Sequence, residues 1–74
     1  MKEKIVKNLV ELTYGTNNDV KIAAINALGD YKCSIEQQHA IDRLLNLCDD
    51  YNKDIAVASI TSLSKLAKFF SENP

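Results

Sequence analysis

The chain has 74 residues, of which 46% are hydrophobic and 26% charged, with a net charge of −1. That length holds one domain, 1–74, and buries only about 60% of its unfolded surface, so stability must come from regular packing or from a partner. The near-neutral charge makes no electrostatic case for nucleic acid or an anionic membrane, and no apolar run approaches the ~20 residues of a membrane span.

Apolar spacing predicts a first helix near 2–14, with Ile5, Val6, Leu9, Val10, Leu12 and Thr13 on one face. Tyr14-Gly15 ends it, Gly15 being expected in the left-handed C-terminal conformation. Asp19 stands where an N-cap belongs. The second helix, near 19–31, turns Val20, Ala23, Ala24, Ala27, Leu28 and Tyr31 inward. After a turn at Lys32-Cys33, Ser34-Ile35-Glu36-Gln37 reads as a capping box with Ser34 at the N-cap. A third helix near 34–50 carries Ala40, Ile41, Leu44, Leu45, Leu47 and Cys48. Asp49 to Lys53 make the next turn, and Asp54 is the expected cap of a fourth helix near 54–71. Its inward residues are Ile55, Ala58, Ser59, Ser62, Leu63, Leu66 and Phe70, and Pro74 closes the chain. No segment alternates with period two, so no sheet is expected.

The chain repeats itself. Shifting it by 35 positions aligns Leu9/Leu44, Leu12/Leu47, Asn17/Asn52, Asp19/Asp54, Ala23/Ala58, Ile25/Ile60 and Leu28/Leu63. Chance would supply roughly two or three such identities at ordinary composition. Val6/Ile41, Val10/Leu45, Val20/Ile55 and Ile22/Val57 add apolar matches. The reading is two helix–turn–helix units, 2–32 and 34–71.

The segment Asn18-Asp19-Val20-Lys21-Ile22-Ala23-Ala24-Ile25-Asn26-Ala27-Leu28-Gly29 resembles the second helix of a HEAT repeat, closest to the phycobilisome-lyase-type variant. The second copy departs from that pattern at Ala56 and Ser64, where the family has a basic residue and Gly. The 35-residue period also suits tetratricopeptide arrays, whose Trp, Gly, Tyr and Pro positions are missing here. The resemblance implies an all-α fold of two HEAT-like repeats, four antiparallel helices in a short right-handed α-solenoid. It also implies a non-enzymatic scaffold or interaction module that presents the second helix of each repeat to a protein or peptide. The partner could equally be a second copy of the chain. Two alternatives from other classes are an accessory role in cofactor or pigment attachment and a nucleic-acid-binding module.

A helical wheel gives the candidate partner-binding residues. At ~100° per residue, Ile22, Asn26 and Gly29 lie opposite the expected core arc of the second helix, with Ile25 to one side. Val57, Thr61 and Ser64 are their equivalents in the fourth helix, with Ile60 to one side and Lys68 a turn further. Ile22, Asn26, Val57, Thr61, Ser64 and Lys68 would line a mildly polar groove. Ile25 and Ile60 suit stacking of repeat on repeat. Repeats stack by translation, so with two of them only one of this pair can meet a neighbour, and the other faces outward.

No residues are assigned to catalysis, cofactor or metal. Cys33, His39 and Cys48 lack any zinc spacing, and Cys33 with His39 lacks an orienting third group. Asp49, Asp50 and Asp54 lack the Gly and distal Glu of a calcium loop. The clusters Lys2/Lys4/Lys7 and Lys65/Lys68 are diluted by Glu3, Glu11 and the overall charge. Met1 to Lys7 lacks the apolar block of a secretory signal, and two cysteines are too few for a disulfide scaffold, so a cytoplasmic chain is expected.

Overall fold

The amphipathic stripes become four α-helices in the structure, a computed structural model that describes residues 1–71. They are α1 (Lys2–Leu12), α2 (Asn18–Asp30), α3 (Gln38–Leu47) and α4 (Lys53–Ser71), with a 3-10 turn over Lys32–Glu36 between α2 and α3. No strand occurs among the described residues. Pro74, which closes the chain, lies outside them.

Asparagines start α2 and α4, two positions before the aspartates expected in that role. The Asn17 carboxamide oxygen accepts from the Val20 N–H at 3.1 Å. Its repeat equivalent, Asn52, accepts from the N–H groups of Asp54 at 3.0 Å and Ile55 at 3.2 Å. An N-cap needs extended backbone, and Asn17 has it at φ −84°, ψ 113°. Asp19 and Asp54 sit inside the first turns instead, where their charge favours the positive helix end.

The other ends also differ from expectation. Thr13 remains right-handed, and Thr13, Tyr14 and Gly15 each bond back three residues, so α1 tightens into a 3-10 turn rather than reversing at a left-handed glycine. No glycine has positive φ. Ser34 is no N-cap. Its hydroxyl donates to the Leu28 carbonyl at 2.8 Å, adding a second bond at the end of α2 to a carbonyl that also accepts from the Tyr31 N–H at 3.4 Å. The Gln37 amide reaches across to donate to the Glu3 carbonyl at 3.3 Å.

α2 packs most extensively on α4, α1 on α2, and α3 on α4, while α1 and α3 touch lightly. The core combines Val6, Val10, Ile25, Leu28, Leu44, Ile55 and Leu66. The α2–α4 contact is close because its residues are small. The Ser62 hydroxyl donates to the Ile25 carbonyl at 2.9 Å, and a Cβ on Gly29 would lie 2.6 Å from that hydroxyl oxygen.

This contact rotates the buried arc of α2 by roughly a quarter turn from the expected one. Ala24, Ile25, Leu28 and Gly29 are buried, whereas Val20, Ala23 and Tyr31 are exposed. Ile5, Leu12, Leu45 and Phe70 are also exposed, against expectation. Phe69 packs on the core in place of Phe70, and the Lys32 ammonium sits 5.7 Å from its ring centroid.

Arg43, the single arginine, fastens α3 to the end of α1. Its Nε donates to the Thr13 hydroxyl and its Nη2 to the Thr13 carbonyl, each at 2.9 Å. The guanidinium also covers the Tyr14 ring at 3.8 Å. The Thr13 hydroxyl in turn donates a hydrogen bond to the Val10 carbonyl. A positive group at a helix C-terminus is electrostatically favourable, and the planar fork fits two acceptors at once.

Candidate partner interface

α4 positions most of the expected partner-binding residues. Its inward side, through Ile55, Ser59, Ser62 and Leu66, is committed to the core. Serines are tolerated there because each hydroxyl finds a carbonyl: Ser59 donates to Ile55 at 2.9 Å, and Ser62 to Ile25 across the contact. Helical periodicity then turns Val57, Ile60, Thr61, Ser64 and Lys68 outward, and all five are exposed. The result is a stripe of two β-branched aliphatics and two hydroxyls, ending in a lysine.

α2 contributes less than expected. Asn26 is exposed, but Ile22 is half-buried against the core. Ile25 is fully buried beneath α4, so it has no surface to offer a partner and is withdrawn from the candidate interface. The wheel placed it to one side of the core arc, and the rotated α2–α4 contact brought it inside. Gly29, placed opposite the core by the same wheel, lies in the same contact.

Other chemistry-bearing residues are separately accounted for. Cys33 and His39 share a shallow depression of about 480 Å³ with Glu3, Lys4, Lys7, Glu36 and Gln37. An adjoining depression of about 600 Å³ is lined by Lys2, Lys32, Glu3, Asp30 and Glu36 among others. Both rims mix charges of either sign, so neither focuses a field on an anion or a cation. Among the described residues, no three His, Cys, Asp or Glu side chains are grouped to hold a metal ion. Burial, and then the neighbouring Asp49 carboxylate, push the Cys48 thiol up, which lowers its thiolate fraction and its nucleophilicity. Asp50 accepts from the Asn52 N–H at 2.8 Å and so shapes the turn before α4. Lys65 pairs with Asp30 at 3.2 Å, with both side chains largely in solvent.

Among the described residues, no helix is long and apolar enough to cross a membrane. No family model, curated protein or solved structure matches the chain.

Proposed function

We propose that the chain is a non-enzymatic interaction module, a stack of two HEAT-like repeats that binds a protein or peptide chiefly through the outer stripe of α4. The observation that carries this reading is the exposure of Val57 and Ile60 side by side on α4, flanked by Thr61 and Ser64. Burying such side chains against a partner is favourable by roughly 25 cal/mol per Å² of apolar surface. Their branching at Cβ leaves little rotamer freedom to lose on docking. The adjacent hydroxyls can pair with polar groups that a partner brings.

The repeat reading draws support from the 35-residue duplication, from the motif over Asn18–Gly29 and from the order of helix contacts. Helix packing within each hairpin and of second helix on second helix is what stacked repeats require. Two free cysteines, Cys33 and Cys48, suit a reducing compartment such as the cytoplasm.

The test is photo-crosslinking in cells, with a benzophenone amino acid placed at Thr61 or Ser64 and, as controls, at the exposed Glu11 or Asp42. Discrete protein adducts from Thr61 and Ser64 alone are expected. Adducts from all four positions alike, or from the controls only, would reject α4 as the binding element.

A further inference from the structure

Repeat-equivalent residues differ in burial, and the differences fall into two sets. Ile25 is 0% exposed and its equivalent Ile60 is 55%; Val10 is 5% and its equivalent Leu45 is 54%. The second set runs the other way. Val20 is 44% exposed and its equivalent Ile55 is 1%, Leu12 and Leu47 are 39% and 2%, and Tyr31 and Leu66 are 36% and 0%. Each repeat therefore has two apolar faces. The rear face of the first repeat, with Val10 and Ile25, is covered inside the chain. So is the front face of the second, with Leu47, Ile55 and Leu66. What stays open is the front of the first repeat and the rear of the second.

These open faces are the same two face types that already fit one another within the chain. We infer that the occupant of the α4 face is a second copy of this chain, stacked head to tail, with its Leu12, Val20 and Tyr31 against Leu45, Val57 and Ile60 of the first. This rests on the interaction-module reading and names its partner. The new contact continues the α2–α4 packing by one further step of the same translation.

Charge fits the same register. Asp30 and Lys65 occupy equivalent positions and pair within the chain at 3.2 Å. The next step of the translation brings the Lys65 of one copy toward the Asp30 of the next, so opposite charges meet again. One substitution loosens the contact between copies. Ser64 stands where Gly29 permits the closest approach of α2 to Ser62, so the helices of two copies sit further apart than α2 and α4. The association is accordingly weaker than the internal packing and depends on concentration. A head-to-tail contact leaves one face of each type free after every addition, so the assembly grows past a dimer unless it closes into a ring.

Complementation tests this directly. Ile60→Glu disables the rear face and Val20→Glu the front face; both positions are exposed in the single chain, and circular dichroism checks the helices. The wild-type mass is expected to rise with concentration. Each variant alone should associate about tenfold more weakly or worse. An equimolar mixture should form heterodimers, because one variant keeps its rear face and the other its front. Leu45→Glu and Tyr31→Glu repeat the experiment on the same faces should either first variant unfold. Loss of association by Ile60→Glu with none by Val20→Glu, and no rescue on mixing, would mean a symmetric α4 dimer and overturn the head-to-tail arrangement. A wild-type monomer at high micromolar concentration would overturn self-association altogether. Crosslinks from Thr61 to a different protein would then still uphold the broader interaction reading.

Discussion

Gly29→Ala probes the contact on which the fold turns. In an exposed helix interior this change stabilises by about 1 kcal/mol, because alanine restricts the unfolded backbone and favours the helix. Here the added Cβ would lie 2.6 Å from the Ser62 Oγ, 2.9 Å from the Ser62 Cα and 3.1 Å from the Ser62 Cβ. The hydroxyl could rotate away, but the Cα belongs to the backbone of α4, so the helices must part. Parting them costs about 1–3 kcal/mol as overpacking. It also strains the Ser62 hydroxyl bond to the Ile25 carbonyl, itself about 1 kcal/mol. After the propensity gain, the net loss is about 1–3 kcal/mol, which lowers the melting temperature by roughly 4–24 °C in a domain of this size. Urea denaturation followed at 222 nm measures it. A variant as stable as the parent, or more so, would refute the close α2–α4 contact.

The remaining predictions concern caps, the arginine and one thiol. Asn52→Ala should cost about 1 kcal/mol through loss of the α4 cap, whereas Asp54→Ala should cost only a few tenths, and urea midpoints rank the two. Arg43→Ala should cost about 1–3 kcal/mol, and Arg43→Lys should recover little, because an ammonium cannot span both Thr13 acceptors while covering Tyr14. Full stability of Arg43→Lys would show that charge alone matters there. The folded chain holds the Cys48 thiol above its ordinary value, so the folded state binds its proton more tightly than the unfolded state does. Stability from this source is present below the ordinary thiol value and is lost as pH rises through the raised one. Iodoacetamide at pH 8 should therefore label Cys48 more slowly in the folded chain than in urea, as peptide mass mapping would record; equal rates would contradict the shift.

Helix number and composition were legible because stripes at helical spacing are a local property, and each run ended at a polar turn. The duplication was equally plain, since Leu9/Leu44 and Ile25/Ile60 need only a fixed shift. The orientation of each stripe was not. Val20 and Tyr31 look like core on a wheel of α2 alone, yet the side that is buried depends on where α4 lies, and that depends on Gly29 meeting Ser62. Cap positions failed for a finer reason. Asn17 and Asp19 are both good caps, and the choice rests on which residue keeps extended backbone. Ser34 carried a plausible capping box, but its hydroxyl found the Leu28 carbonyl through a tertiary turn. Arg43 gave no local signal, because its partners lie thirty positions earlier. For the candidate interface, the outward residues of α4 followed from periodicity, and the sequence already implied that only one of Ile25 and Ile60 would be covered; that it is Ile25 depends on where α4 packs on α2.

The most direct measurement of the central claim is the solution mass of the wild-type chain and of Ile60→Glu, by sedimentation across a rising concentration series. A covered α4 face predicts a wild-type mass that climbs while the variant stays monomeric with its helical spectrum intact. Superimposable monomers at every concentration would contradict the claim that the face left open by the second repeat binds another copy.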